Sequence, residues 1–216
     1  VQSNGGLIVA IISNAVTIAD AGAFSASLGS MVHIKTITLS SAAANITFIH
    51  GTSSVVFNDT YPIYVIQLDN IRTAAGNVQW QTTTDGSNFN VVATNTANVA
   101  EHSENDSSVA RIIYSAGYDV AQGASPFLFN INKGGINTGT DASGSGTITM
   151  FNPSSSTFCK HYLARINSMS EYPGSTDNFT AGYFNTTSAL TGFRIKEVNG
   201  NNILSGSMKL FGIKDS

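Results

Sequence analysis

The sequence predicts an all-β protein, specifically an antiparallel β-sandwich of jelly-roll type. β-branched and aromatic residues occur in short runs that clusters of Gly, Asn, Ser and Asp separate. Several runs alternate with a period of two, whereas no helix-capping box is followed by an apolar stripe of helical period. About ten such strands, with turns roughly every 8–12 residues, are typical of a sandwich or jelly roll.

Each predicted strand is a run of this kind. The predicted strands are Leu7–Ile12, Val32–Leu39, Ile46–His50, Ser54–Phe57, Tyr61–Asp69, Val78–Thr82, Ala110–Tyr114, Phe127–Ile131, Gly146–Asn152, Phe158–Ile166, Phe193–Val198 and Gly206–Ile213. Asp85-Gly86 and Asn199-Gly200 predict tight turns, because glycine tolerates the positive φ that such turns need. The polar stretches Asn95–Ser108 and Gly134–Gly146 are interpreted as loops.

Residues 1–30 differ from the rest of the chain, since they are rich in small and aliphatic residues and carry a single charge, Asp20. We interpret them as a first strand or as an attachment arm that packs on a neighbouring chain. The apolar residues that would form this arm are Leu7, Ile8, Val9, Ile11 and Ile12. Residues 31–216 are predicted to form a single β-sandwich domain.

The composition excludes several functional classes. Charged residues make up 11% of the 216 residues and the net charge is −3, so the clustered Lys and Arg of a nucleic-acid binder are absent. Ser, Thr, Asn and Gly together supply 90 residues, which predicts a neutral polar surface. The longest purely apolar run, Leu7–Ile12, is far shorter than the roughly 18 residues that predict a membrane span.

No motif in the sequence selects a catalytic centre. The single cysteine, Cys159, excludes an intrachain disulfide and a multi-cysteine zinc site, and the four histidines are widely separated. Glu101–Asp106 carries three carboxylates that could hold a hard cation, but a solvated acidic loop is the alternative interpretation. We predict no enzyme activity, no catalytic residues, no metal site and no cofactor.

Carbohydrate binding is the main alternative that the residues suggest. Sugars are recognised by aromatic faces together with neutral hydrogen-bonding groups, and this chain is rich in Asn, Ser, Thr and Tyr. The candidate glycan-binding residues are Trp80, Tyr114, Tyr118, Tyr172 and Tyr183. Trp80 alternates with Val78 and Thr82 along its strand, which favours a core position for it, and tyrosines at a sandwich rim are also ordinary packing residues.

Five segments resemble motifs of a diffuse group of bacteriophage virion proteins. Gly182–Ile195 and Ile203–Lys214 resemble the group's ending, in which a T-x-I-x-F strand precedes an I-x-S-G-x-x-x-L-Y/F-G-I-K strand. Gly146–Pro153 resembles its G-T-I-x-L-Y-N-P strand and turn. Tyr64–Ile71 and Thr84–Phe89 resemble its Y-x-I-x-L-x-N-V and S-T-D-G-G-S-x-F pair. The matches follow the expected order but leave residues 1–40 outside.

The resemblance implies a non-enzymatic structural protein on the surface of a phage particle. It implies a homo-oligomer, with a trimer favoured, that contacts other virion proteins such as the major capsid or tail proteins. No heptads or β-helix repeats supply a fibre shaft, which favours a capsid decoration, a knob or a short fibre. The alternative is a carbohydrate-binding receptor-recognition domain of a tail fibre, which would contact a host surface glycan. A glycan-degrading enzyme would need a carboxylate pair, and none is selected.

Overall fold

The computed structural model describes residues 11–13, 16–20, 23–24, 30–74, 76–105, 110–114, 116–126, 128, 139–170 and 174–215. Fifteen strands and one 3-10 turn, Ala116–Tyr118, lie in these residues. The strands are β1 (Ile11–Ser13), β2 (Val16–Asp20), β3 (Ala23–Phe24), β4 (Met31–Thr38), β5 (Asn45–Ile49), β6 (Ile63–Thr73), β7 (Val78–Thr83), β8 (Ala93–Ser103), β9 (Ala110–Tyr114), β10 (Ala121–Gly123), β11 (Gly144–Phe151), β12 (Lys160–Met169), β13 (Gly174–Phe184), β14 (Gly192–Glu197) and β15 (Ile203–Ile213).

The strands form three antiparallel sheets. The large sheet has nine strands in the order β10-β8-β13-β12-β11-β6-β15-β4, and β9 pairs with β8 on the same edge as β10. A small sheet has the order β5-β14-β7, and β1-β2-β3 form a third sheet by themselves. The prediction of an all-β, sandwich-like fold is confirmed, while the jelly-roll connection stays a prediction.

The core lies between the small sheet and one face of the large sheet. Alternate residues of the central strands are fully buried there, including Tyr64, Ile66 and Leu68 of β6. Trp80 of β7 packs edge to face on Tyr162 of β12, and the ring centroids are 4.5 Å apart. The period-two pattern of these strands places their apolar side chains on the core face, which leaves the other face of the large sheet to solvent.

Two long strands of the large sheet were not predicted. The polar stretch interpreted as a loop contains most of β8, and no strand was predicted where β13 lies. The buried face of β13 carries Thr176, Asn178 and Thr180 rather than aliphatic residues. Asn178 donates to the Ile166 carbonyl, and Thr176 bonds the Ser168 hydroxyl at 2.8 Å. Because hydrogen bonds replace apolar contacts here, the hydrophobic alternation that reveals a strand is missing.

The predicted strand Ser54–Phe57 is a turn. Ser53 and Ser54 have φ values of 51° and 68°, in the left-handed region. Val55 and Phe57 are nevertheless buried, and the Phe57 amide donates to Nδ1 of His50 at 2.9 Å. Two buried residues at alternate positions therefore imitate a strand in the sequence although the backbone turns. The predicted strand 127–131 lies almost wholly outside the described residues.

The outer edge of β8 is only partly covered by strands. β10 pairs with its beginning and β9 with its end, and the residues between them have other partners. The Asn95 amide donates to the Val120 carbonyl at 3.0 Å. The Ala97 amide donates to Oδ1 of Asp119 at 2.8 Å, so that a carboxylate takes the position of a neighbouring strand.

Candidate functional site

The exposed side of the large sheet, opposite the small sheet, is named here the open face. The described residues contain six large apolar side chains that are exposed, and the strand registers place five of them on this face. They are Met31, Ile112, Tyr114, Leu163 and Phe179. Scattered exposed apolar residues need no explanation, but neighbouring ones can mark an interaction surface, and Leu163 and Phe179 lie on the adjacent strands β12 and β13.

A groove runs over four strands of the open face. Three rows of side chains lie in register across β8, β13 and β12. The rows that contain Leu163 and Arg165 continue onto β11. The rows are Thr94-Tyr183-His161, Thr96-Ala181-Leu163-Thr149 and Asn98-Phe179-Arg165-Thr147. At about 4.8 Å between strands and about 3.4 Å per residue, the patch measures about 14 Å in each direction.

Two depressions form this groove. One has a volume of about 490 Å³ and lies at the end where Tyr183, His161 and Phe151 stand. The other has a volume of about 280 Å³ and lies beside Phe179 and Arg165. They share Thr96, Leu163 and Ala181. The Ala181 side chain is small, so on β13 the surface is depressed between the larger rings of Tyr183 and Phe179.

Among the described residues that line the depressions, one is an Asp, Glu, Lys or Arg, and its charge is paired locally. Nε and Nη2 of Arg165 both donate to the carboxylate of Asp177 in a bidentate pair, and Nη2 lies 2.7 Å from Oδ2. The hydrogen bonds to Asp177 raise the pKa of Arg165 above its usual range. The guanidinium carbon lies 4.6 Å from the centre of the Phe179 ring. Asp177 thus holds Arg165 against the ring and leaves little free charge for a ligand.

Trp80 does not belong to the groove, which corrects its choice as a candidate glycan-binding residue. It is 0% exposed and lies between the sheets, where the rings of Tyr162, Phe184 and Phe193 surround it. A sugar platform must present a ring face to solvent, and no face of this indole does so. The alternation with Val78 and Thr82 had favoured this core position.

The structure brings two of the predicted tyrosines onto the open face. Tyr183 lies on β13 and lines the larger depression, with its ring centroid 5.9 Å from that of His161. Tyr114 lies on β9 opposite Asn98, and its hydroxyl donates to Asp119, which raises the pKa of Tyr114. Tyr118 ends the 3-10 turn and is half-buried. Tyr172 lies outside the described residues.

The acidic segment is not a cation loop where it is described. Glu101 is a buried residue of β8 and pairs with Arg111 of β9. Within the described ranges, no group of three or more His, Cys, Asp or Glu residues could hold a metal ion. Across the same part of the chain, we find no helix long and apolar enough to cross a membrane.

The predicted attachment arm is described only in part. Leu7, Ile8 and Val9 lie outside the described residues, whereas Ile11 and Ile12 begin β1. β1 pairs with β2, and β2 pairs with β3. None of these three strands pairs with a strand of the other two sheets. The role of residues 1–30 as an arm stays a prediction.

Sequence reasoning missed most of the groove. Leu163 and Arg165 lie on a correctly predicted strand, and the alternation of that strand places them opposite Tyr162 and Ala164. Leu163, a leucine on the otherwise polar face of its strand, could therefore have indicated this surface from the sequence. Phe179 had no such signal, because the strand that carries it was not predicted.

Comparisons of the whole chain with protein-family models, with curated proteins and with solved structures found no match. The site is therefore interpreted from its own geometry and chemistry.

Proposed function

We propose that this protein is a non-enzymatic structural protein displayed on the surface of a bacteriophage particle. The observation that carries the proposal is the spatial arrangement of the segments that resemble virion proteins. Tyr64–Ile71 lies in β6, Gly146–Pro153 covers most of β11, and Ile203–Lys214 covers β15. These strands are neighbours in the order β11-β6-β15, although about 140 residues separate the first motif from the last.

The three central motifs are also in register. Ile66 of β6 lies opposite Ile148 of β11 on one side and opposite Leu210 of β15 on the other. All three side chains are fully buried. Segments that resemble a family in sequence order and also share one buried row support a common framework, because isolated strand-like similarities would be scattered over the fold.

The remaining motifs reach the opposite layer. The segment Gly182–Ile195 begins in the last residues of β13 and ends in β14, the central strand of the small sheet. Thr84–Phe89 follows β7, the neighbour of β14, and forms the turn around Asp85. The motif set therefore contributes to the centre of both layers, which supports a resemblance that extends to the whole sandwich.

Within this proposal, the protein decorates a capsid as a knob or short fibre, where it stabilises the particle, contacts the host surface, or does both. It assembles as a homo-oligomer, with a trimer favoured, on the major capsid protein or on a tail protein. Residues 1–30 form the attachment arm. Few charges and a single thiol make such a surface insensitive to salt and redox conditions.

Immunogold electron microscopy of the parent particles, with antibody to this chain, tests the proposal. Label over the head supports capsid decoration, and label at the tail supports a receptor-binding component. Absence of label from every particle contradicts the virion function. A chain that lacks residues 1–30 is the second test: particle binding that is unchanged by this deletion would show that the arm is wrongly assigned.

A further inference from the structure

We propose that the groove on the open face binds a neutral carbohydrate chain. The groove is defined by Tyr183 and His161 at one end, Leu163 and Ala181 at its centre, and Phe179 with Arg165 at the other end. The inference does not depend on the virion function, because the isolated chain can be tested without any particle.

The shape of the groove fits an extended ligand. Tyr183 and Phe179 are four residues apart on β13, so their Cα atoms are separated by about 14 Å. Between them lies Ala181, and the two depressions meet at this row. A ligand that contacts both rings must therefore be an elongated molecule with several units, rather than a single small molecule held at one point.

The hydrogen-bonding groups of the groove are neutral and available. Thr96 and Asn98 on β8 border one side, and Thr147 and Thr149 on β11 border the other. Among the described residues, none of these four side chains has a hydrogen-bond partner. Hydroxyl and amide groups can both donate and accept, which is what the hydroxyl groups of a sugar require.

The charge of the groove fits a neutral ligand. Asp177 already binds Arg165 in a bidentate pair, so an anionic ligand would have to compete with a carboxylate that is held in place. Among the residues that the structure describes, no Asp, Glu or Lys lines either depression to attract a cation. The exposed ring of Phe179, the half-buried ring of Tyr183 and the Leu163 side chain supply apolar contacts for the carbon–hydrogen faces of sugar rings, which is the other half of carbohydrate recognition.

A second copy of this chain is the competing occupant, since the open face carries most of the large exposed apolar residues. An apolar surface packed over the groove would leave the hydroxyls of Thr96, Thr147 and Thr149 buried without partners. Leaving buried polar groups unpaired is costly, whereas a sugar chain would pair them. The rings on β13 lie between the unpaired hydroxyl of Thr96 on β8 and those of Thr147 and Thr149 on β11, and this arrangement favours a carbohydrate as the occupant.

The test uses the full-length chain on an array of neutral and anionic oligosaccharides, followed by titration calorimetry with each neutral glycan that is retained. Phe179→Ala and Tyr183→Ala remove the two rings, and Thr149→Val removes one hydroxyl while it conserves the shape. We expect each change to weaken binding about tenfold or more. Phe158→Ala is the control, because Phe158 is exposed and lies away from the groove.

Two further measurements keep the test decisive. Leu163→Trp adds bulk at an exposed position between the depressions, so it should block binding without a change in the melting temperature, even if a ring variant fails to fold. Analytical ultracentrifugation of the wild type and of Leu163→Arg tests self-association through the same face. Retention of no neutral glycan, retention of anionic glycans alone, or a dimer that Leu163→Arg abolishes would each overturn the proposal.

Discussion

The indole of Trp80 meets the phenol ring of Tyr162 edge to face, and this contact joins the small sheet to the large one. Both residues are buried, and burial raises the pKa of Tyr162 above its usual range. Phe184 of β13 and Phe193 of β14 complete the cluster, with ring centroids 4.9 and 5.2 Å from that of Trp80. One side chain thus contacts three strands in addition to its own.

Trp80→Ala should therefore lower the free energy of unfolding by about 3–5 kcal/mol, because it leaves a cavity between the two sheets. Urea unfolding followed by circular dichroism measures this loss. Trp80→Phe should cost less, since it keeps an aromatic ring in the cluster. Phe158→Ala, at a position that is 70% exposed, should change stability by less than about 0.5 kcal/mol. Equal stability of Trp80→Ala and wild type would contradict the core assignment.

Lys160 is fully buried, and its ammonium group joins the segment that precedes β12 to the segment that follows β13. Nζ donates to the carbonyls of Ser155, Phe158 and Thr186 at 2.6, 2.8 and 3.2 Å. Lys160→Met keeps a similar length but leaves these carbonyls without a donor. We expect a loss of about 2 kcal/mol or more in urea unfolding. Lys35→Met, on the edge strand β4, is the matched control, and a comparable loss there would contradict a specific role for Lys160.

The turn after β7 should make stability depend on acid pH. Hydrogen bonds from the amide and side chain of Asn88, the amide of Ser87 and the hydroxyl of Thr83 hold the pKa of Asp85 well below its usual range. A depressed folded-state pKa stabilises the fold above the unfolded pKa, which is about 4, and this stabilisation is lost as the pH falls through the folded value.

The difference in urea midpoint between wild type and Asp85→Asn should accordingly be larger at about pH 7 than at about pH 2. Asp141→Asn is the control, because Asp141 is exposed and has no side-chain hydrogen bond to another described residue. A difference between wild type and Asp85→Asn that stays constant over this range would show that the hydrogen bonds of the turn do not depend on the carboxylate.

Gly146 of β11 lies opposite Ile166 of β12. A Cβ atom at this position would meet the carbonyl oxygen of Arg165 and would lie 2.8 Å from the Cα of Ile166. These are backbone atoms, so the strands must separate to admit it. We expect Gly146→Ala to lower the melting temperature by several degrees, about what 1–3 kcal/mol produces in a domain of this size. Gly117→Ala, with nothing within 4 Å, should leave it unchanged.

The sequence predicted the strands whose apolar residues alternate, and it failed where hydrogen bonds replace apolar contacts. Phe193–Val198 has Phe193 and Ile195 on its buried face, and it corresponds to β14. β13 places Thr176, Asn178 and Thr180 at the equivalent buried positions, so its composition is that of a loop. The fold class was therefore predictable, and Tyr183 was named as a candidate residue, but Phe179 was not, because the strand that carries both was not predicted.

The gap between β9 and β10 has a consequence for aggregation. An exposed strand edge invites another chain to extend the ladder, and charged groups at the edge discourage this. The Asp119 carboxylate already accepts from the Ala97 amide, and an incoming backbone would have to displace it and lose a charge-assisted hydrogen bond. Edge-to-edge polymerisation at β8 is thereby opposed, so copies crowded at high local concentration would have to meet through other parts of their surfaces.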